Sequence, residues 1–236
     1  MSKWIKLGII VPSSNTTMEI EFNRMKPRNV SIHTARMRLR KVTAESLAEM
    51  EKEAINEAIK LADAKVDIIA YGCTTGSLIK GAKHASEIEE KIKEKTGIPA
   101  VATANSVLRA LKVLNAKRIV IATPYIEELN VLEKRFLEEN GFEVIRIIGL
   151  GIKDNVKIGS LKPEVAYNLA LKAYYPNVDA IFISCTNFRT IEIVEKLENK
   201  IGKPVISSNT ATLWNMLRFV GYNEPINGYG KLLRKY

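Results

Sequence analysis

VDIIAYGCTTGS (residues 66–77) and VDAIFISCTNFR (residues 178–189) are two versions of one pattern, in which a short apolar run ends at a cysteine followed by threonine. The chain has two cysteines, Cys73 and Cys185, which lie 112 residues apart. The same offset aligns further positions without a gap: Pro12 with Pro124, Val30 with Phe142, Ala54 with Ala166 and Val66 with Val178. The pattern predicts an internal duplication whose two halves share a site.

Short β-rich runs alternate with longer helical patterns in both halves, which predicts an α/β fold with a parallel sheet in each half. The runs are KLGIIV (6–11), VSIHTA (30–35), DIIAYG (67–72), PAVAT (99–103), RIVIAT (118–123), FEVIRII (142–148), AIFIS (180–184) and PVISS (204–208). Past the cysteines the offset shortens to 105, because the segment from Gly97 corresponds to the segment from Gly202. We expect residues 1–104 plus 209–236 to form the half that carries Cys73, and residues 105–208 the half that carries Cys185.

Composition limits the class of protein. With 236 residues, 46% of them hydrophobic, the chain can bury a substantial core. No apolar run approaches the roughly 18 to 20 residues that cross a bilayer, and MSKWIKLGIIVPSSN (1–15) is typical of a strand and turn rather than a signal peptide. We therefore expect a cytoplasmic protein without membrane partners.

The net charge of +10 raises the question of nucleic acid or anionic partners. Basic residues alternate with acids along helices, as in EEKIKEKTG (89–97) and LEKRFLEEN (132–140), which is the pattern of a solvated helix face. This distribution argues against nucleic acid, although a positive field would help to gather a dicarboxylate.

The cysteines and histidines do not form a metal-binding pattern. Neither cysteine belongs to a CxxC pair or has a histidine at ligand spacing, so we expect free thiols and no structural zinc. His33 and His84 lie in polar stretches, which favours solvated side chains without a catalytic role.

Each half begins with a strand that ends on proline. Thr16 and Glu19 have the capping-box spacing, which places Ser13, Ser14 and Asn15 at the mouth of a helix. In the second half, Thr123 is expected to cap a helix that has Pro124 at its first position and Tyr125 beside it.

The carboxyl ends of parallel strands form the ligand crevice of such sheets. Four turns therefore face one cleft, namely Ser13–Asn15, Cys73–Ser77, Tyr125 and Cys185–Asn187.

A cysteine just before a helix lies at the positive end of the helix dipole, which predicts a lowered pKa and an available thiolate. Free backbone N–H groups and nearby hydroxyls would form a cradle for carboxylates. The hydroxyls are those of Thr74, Thr75, Ser77 and Thr186. A single free cysteine is commonly a small buried hydrophobe, but two at equivalent strand ends favour chemistry, although a duplication could also copy a structural thiol.

Other polar residues are weaker candidates for the site. Asn155 lies in a loop in which turn formation is the default interpretation. Arg36, Arg38 and Arg40 could hold an anion, but their alternation also fits the exposed side of an edge strand, so we leave them out of the site.

Seven motifs, in order, resemble the maleate cis-trans isomerases of the aspartate/glutamate racemase superfamily, which also includes arylmalonate decarboxylases. The motifs are VPSSNTTME (11–19), RMRLRKVTAESL (36–47), YGCTTGS (71–77), ATPY (122–125), DNVKIG (154–159), SCTNFRT (184–190) and SSNTATLW (207–214). Amino-acid racemases usually show CNT and CTE where this chain has CTT and CTN. Arylmalonate decarboxylases keep only the second cysteine, so Cys73 speaks against that branch.

The resemblance implies two pseudo-symmetric domains, each a four-stranded parallel sheet flanked by helices, around a site that needs no cofactor and no metal. It implies that Cys73 adds to maleate, that Cys185 is the opposing acid/base, and that Asn15, Tyr125 and Asn155 hold carboxylates. Racemisation of aspartate or glutamate by two cysteines, decarboxylation of a substituted malonate, and non-catalytic dicarboxylate binding remain alternatives. We also expect a homo-oligomer, a dimer or a tetramer.

Overall fold

The protein is built on two parallel sheets, as the computed structural model shows for residues 4–39 and 41–236, the side chain of Ala48 excepted. The strands are β1 (Ile5–Pro12), β2 (Val30–Met37), β3 (Ile68–Tyr71), β4 (Ala100–Ala102), β5 (Arg118–Thr123), β6 (Glu143–Gly149), β7 (Ala180–Ile183) and β8 (Val205–Ser207). Their orders are β2-β1-β3-β4 and β6-β5-β7-β8. The predicted fold, with four parallel strands in each half, is confirmed.

Helices cover the sheets. They are α1 (Met18–Met25), α2 (Ala44–Asp63), α3 (Thr74–Leu78), α4 (His84–Thr96), α5 (Thr103–Val113), α6 (Glu127–Glu139), α7 (Asn155–Gly159), α8 (Pro163–Ala173), α9 (Val194–Ile201), α10 (Ser208–Phe219) and α11 (Lys231–Lys235). Within the described ranges, none of them is long and apolar enough to cross a membrane.

The duplication is visible in the strand register. In the first sheet Leu7 pairs with Ile68, and in the second Ile119 pairs with Ala180, which are the same two positions moved by 112 residues. The shorter offset of 105 relates β4 to β8. Strands β3 and β7 are buried along their whole length, as expected for the inner strands of parallel sheets covered on both faces. Each cysteine therefore follows a rigid, buried strand.

The last long helix connects the two halves. Helix α10 packs against α5 and also contacts β3 and β4 of the first sheet. Thr212 Oγ1 donates to Thr103 Oγ1 at 3.3 Å, and Asn215 Nδ2 donates to Ser106 Oγ at 2.9 Å. The division into residues 1–104 plus 209–236 and 105–208 stays a prediction.

The predicted helix starts were wrong in both halves. Thr16 and Glu19 form no capping box, because Asn15 Oδ1 accepts from the backbone N–H groups of Thr17 and Met18 at 2.9 and 3.0 Å. In the second half, α6 begins at Glu127, so Thr123 does not cap it. Backbone N–H groups of the loop after β6 bind the carbonyls of Pro124 and Tyr125, which holds these residues in a turn.

The structure tests what the sequence predicts for the histidines and for the arginines of residues 36–40. His84 is buried, against expectation, with Nε2 3.6 Å from Glu51 Oε2, and burial lowers its pKa. His33 is partly buried and bonds Ser31 Oγ at 2.9 Å. Arg36 is exposed on edge strand β2 and pairs with Glu19, as the edge-strand interpretation predicts, whereas Arg40 lies outside the described residues.

Gly72, directly before Cys73, has no room for a side chain. An added Cβ would lie 2.8 Å from the carbonyl oxygen of Ile10 and 2.7 Å from Sδ of Met18. Because the backbone of β1 cannot move away cheaply, we expect Gly72→Ala to lower the free energy of unfolding by about 1 to 3 kcal/mol. Denaturant unfolding measures this loss, and a variant as stable as the wild type would contradict the tight packing described.

Candidate active site

The cysteine corners meet at one small cavity between the halves, with about 250 Å³ of empty space. Its lining residues are Pro12, Asn15, Leu39, Val42, Cys73, Thr74, Thr75, Tyr125, Asn155, Cys185 and Thr186. Eight of the nine predicted site residues are among them. Ser13 is not, because it is exposed and its Oγ accepts from the backbone N–H of Leu39 at 3.0 Å.

Cys73 begins a helix, as predicted. It is the N-cap of α3 in an extended conformation, and its Sγ accepts from the N–H of Gly76 at 3.4 Å. Thr75 Oγ1 lies 3.9 Å from the same sulfur atom. Ser77 does not line the cavity, since its hydroxyl donates to the carbonyls of Cys73 and Thr74. These contacts fix the Cys73 sulfur at the end of β3.

Cys185 is held differently, and the expectation of a helix after it was wrong. The chain forms a turn there, and Cys185 has φ of 98°, a left-handed conformation that residues other than glycine rarely adopt. Its Sγ accepts from the N–H of Asn187 at 3.4 Å. Backbone strain of this kind persists only where surrounding contacts enforce it, and it is concentrated at functional sites.

Ser208, which sequence reasoning missed, joins the two corners. Its Oγ accepts from Thr74 Oγ1 at 2.8 Å and from the backbone N–H of Cys185 at 3.0 Å. It is fully buried at the start of α10. The 105-residue offset pairs Ser208 with Thr103, which follows β4, and this equivalence was the signal available in the sequence.

The asparagines that line the cavity are engaged across the boundary between the halves. Asn15 Nδ2 donates to Thr186 Oγ1 at 3.0 Å, and Thr186 Oγ1 donates to the carbonyl of Gly72 at 3.1 Å. Asn155 begins α7 rather than lying in a loop, and its Nδ2 donates to Ser14 Oγ at 2.9 Å. Both amides are buried, so each is fixed for contact with a ligand.

The environment of the thiols contradicts the predicted lowering of their pKa. Burial raises the pKa of Cys73 to about 11, against the hydrogen bonds from Gly76 and Thr75, which lower it. Burial raises the pKa of Cys185 to about 12, against hydrogen bonds from Tyr125 and Asn187. Since the effect of burial outweighs these hydrogen bonds, both sulfurs are thiols at neutral pH in the free protein.

Tyr125 lies beside Cys185. Its side chain is 2% exposed, and burial, followed by the nearby Cys185, raises the pKa of its phenol well above the usual value. The hydroxyl therefore keeps its proton and can donate to the sulfur or to a carboxylate.

The cavity is partly covered, and its described walls are neutral. Leu39 and Val42, from the connection between β2 and α2, cover it and are both buried. Every described residue that lines it is uncharged. The described residues contain no group of three or more His, Cys, Asp or Glu side chains that could hold a metal ion. The polar groups that these lining residues present to the cavity are hydroxyls, amides, thiols and a phenol.

Two buried carboxyls adjoin the site. Glu21 accepts from the N–H groups of Thr190 and Ile191 and from Asn209 Nδ2, and Glu133 accepts from Ser184 Oγ at 2.6 Å. Burial raises the pKa of Glu21 to about 7 and that of Glu133 to about 8.

These carboxyls predict a loss of stability as pH rises. Between about pH 4.5 and their raised pKa values, the folded protein keeps protons that the unfolded chain has released, so a rise in pH favours unfolding. The loss is on the order of 3 to 5 kcal/mol for each group. We expect Glu133→Gln to reduce the fall in Tm between about pH 5 and 9, whereas Glu139→Gln, on the exposed side of α6, should leave it unchanged. Parallel melting curves for wild type and Glu133→Gln would contradict the assignment.

Two duplicated α/β halves, each with a cysteine at a shared cavity, define the class of aspartate/glutamate racemase-like proteins. The chain belongs to the arylmalonate decarboxylase family, whose model matches residues 7–233.

Relatives of known activity match over their whole length. The maleate isomerase of Pseudomonas putida is 32% identical, over 99% of this chain and 98% of that protein. The crystal structure of the maleate isomerase Iso from Pseudomonas putida S16, a cysteine-to-alanine variant with maleate, superimposes with a TM-score of 0.94 at 29% identity, covering 97% of both chains. A cysteine-to-serine mutant of the Nocardia farcinica maleate cis-trans isomerase, with a covalently bound succinylcysteine intermediate, has a TM-score of 0.95 at 28% identity, covering 98% of this chain and 99% of that one.

Proposed function

We propose that this protein isomerises maleate, or a close cis-dicarboxylate, to fumarate through a covalent succinyl-cysteine intermediate. The observation that carries the proposal is the pair of buried thiols, one from each half, at a single cavity whose described walls are neutral. The full-length likeness to maleate isomerases, one of them with a succinylcysteine intermediate, supports it.

Cys73, a thiol in the free protein, first releases its proton to solvent. Its thiolate then adds to one alkene carbon of maleate, so that an S–C bond forms and the π electrons move toward the neighbouring carbon and its carboxylate. Cys185 then donates its proton to that neighbouring carbon. Rotation occurs about the resulting single bond. The Cys185 thiolate takes a proton back, the double bond re-forms and the S–C bond breaks, which releases fumarate and the Cys73 thiolate. From the thiolate onward electrons and protons balance without another reactant, and Cys73 regains from solvent the proton that it released at the start.

The contacts of the sulfurs support this division of roles. The sulfur of Cys73 faces the Gly76 N–H and the Thr75 hydroxyl at the start of α3, and these donors stabilise a thiolate. Cys185 is followed by a turn rather than a helix, and burial raises the pKa of its thiol. The thiol that ionises more easily is the better nucleophile at neutral pH, and the other is the better proton donor.

Neutral donors would hold the two carboxylates. Asn15, Asn155 and Tyr125 are buried and aimed at the cavity, and the hydroxyls of Thr74, Thr75 and Thr186 lie between them. Donors fixed before the substrate binds stabilise the charge that develops on a carboxylate during addition, and they need no reorganisation.

The paired thiols also support a second candidate, the racemisation of aspartate or glutamate. One thiolate would remove the α-proton and the opposite thiol would return a proton to the other face. Two cysteines on opposite walls fit that chemistry equally well, so activity on these amino acids must be measured directly.

Proton NMR of purified protein with maleate, substituted maleates, aspartate or glutamate tests the proposal. We expect maleate to be converted to fumarate, and aspartate and glutamate to show no solvent deuterium at Cα. Absence of fumarate together with deuterium exchange in an amino acid would replace isomerisation by racemisation. Ligand-induced stabilisation without turnover would favour a binding protein.

We further propose a cytoplasmic homo-oligomer, either a dimer or a tetramer, since α/β enzymes of this size often associate symmetrically. Light scattering of the purified protein measures its mass in solution, and a monomer would contradict this.

A further inference from the structure

The carboxyl of Glu133 is isolated in the interior beside the Cys185 corner. It is 1% exposed, its Oε1 accepts from Ser184 Oγ at 2.6 Å, and within the described residues its Oε2 has no hydrogen-bond partner. Ser184 is the residue directly before Cys185. Any change in the charge of Glu133 therefore acts one residue away from a thiol that the proposed mechanism uses.

Among the residues that the structure describes, no cationic side chain adjoins Glu133 to compensate a negative charge. Glu133 lies between α3, α5, α6 and β7, and the residues around it there are uncharged: Thr74, Leu78, Ala104, Val107, Phe136, Leu137 and Phe182. The titratable groups that it faces are Cys185 and Tyr125, whose pKa values its charge raises. A charge in the low-dielectric interior is screened little, so it acts strongly on neighbouring titratable groups.

We propose that Glu133 is a positioning residue that controls the reactivity of Cys185 through its own charge. While the Glu133 carboxyl is neutral, the Cys185 thiol can ionise, and once the Glu133 carboxyl has lost its proton, the negative charge suppresses the Cys185 thiolate. This inference rests on the proposed function for the use that it gives to Cys185. It does not require maleate for its test.

The neutral carboxyl suits the reaction in two ways. A carboxylate at this position would oppose the negative charge that Cys185 acquires when it gives up its proton. It would also repel a dicarboxylate bound in a cavity with neutral walls. Burial favours the neutral acid up to about pH 8, so the site carries a built-in alkaline limit.

The rate at which iodoacetamide alkylates Cys185, followed by peptide mass spectrometry as an initial rate, tests the proposal. Iodoacetamide is uncharged, so its approach does not itself respond to Glu133. We expect the rate of Glu133→Gln divided by that of wild type to be near one at about pH 6.5, where Glu133 is neutral. It should rise to about tenfold at about pH 9.5, which corresponds to a shift of about one pKa unit.

Two further variants complete the test. Glu133→Met is also neutral and of similar length, so it should show the same rise and it replaces the glutamine variant if that one does not fold. Glu139→Gln removes a carboxylate from the exposed side of the same helix, and its ratio should stay near one throughout. A ratio for Glu133→Gln or Glu133→Met that does not change with pH would overturn the proposal.

The outcome is separable from that of the proposed function. Alkylation is measured without substrate, so a protein that fails to isomerise maleate can still show the pH-dependent ratio. Conversely, turnover of maleate with a constant ratio would leave the isomerase assignment in place and remove the role of Glu133.

Discussion

Replacing Cys73 by alanine should lower kcat for the conversion of maleate to fumarate by about 10⁴-fold or more, because the proposed mechanism has no other nucleophile to form the S–C bond. The change removes one sulfur atom from a side chain at the end of β3, and the corner keeps its contacts through Ser77 and Thr74. The variant should therefore fold, which a melting curve checks. Steady-state assays by NMR measure the loss.

Cys73→Ser provides the matched variant for this prediction. Serine preserves the shape and the hydrogen bond from the Gly76 N–H, but its hydroxyl is a far weaker nucleophile than a thiolate. We expect it to be as inactive as the alanine variant. Turnover near the wild-type rate in either variant would assign the nucleophile to another group.

Replacing Cys185 by serine should lower kcat by about 10²- to 10⁴-fold while leaving the Cys73 thiol able to react, because the loss falls on proton transfer. Serine retains the strained backbone and the bonds to Ser208 and Asn187, so the geometry of the turn is preserved. The pH dependence of the remaining activity should no longer contain the Cys185 ionisation. A kcat equal to that of wild type would show that Cys185 is a bystander.

Much of the fold follows from local patterns in the sequence. The alternation of apolar runs with helical segments, repeated at a fixed offset, predicts both sheets, and the observed registers of Leu7 with Ile68 and of Ile119 with Ala180 repeat it residue by residue. Parallel sheets place all strand carboxyl ends on one side, so the convergence of Cys73 and Cys185 was predictable as well.

The predictions that were wrong concern features that depend on contacts between distant segments of the chain. The pKa of each thiol was predicted from the dipole of the adjacent helix, but burial by the opposite half decides it. The φ of 98° at Cys185 depends on Ser208 and Asn187, which one strand end alone does not reveal. The capping box of Thr16 and Glu19 fails because α1 begins at Met18 after Thr17 and because the Thr16 N–H is already bound to Asn187 Oδ1 at 2.8 Å.

Some site residues were missed for the same reason. Leu39 and Val42 appear in the sequence as ordinary apolar positions between β2 and α2, and only the closure of the two halves shows that they cover the cavity. Glu133 belongs to a charge-rich helix pattern that indicates a solvated face, yet it is buried against Ser184 while Glu139 on the same helix pairs with Arg135 at the surface.

The most direct test of the account is to mix Cys185→Ser protein with maleate, quench with acid, and map the adduct by peptide mass spectrometry. The mechanism predicts that the peptide containing Cys73 gains the mass of one maleic acid. It predicts that this adduct is absent when maleate is withheld. It also predicts that no adduct forms in Cys73→Ala under the same conditions. An unmodified Cys73 peptide in a variant that binds maleate, or an adduct on any other residue, would contradict covalent catalysis by Cys73.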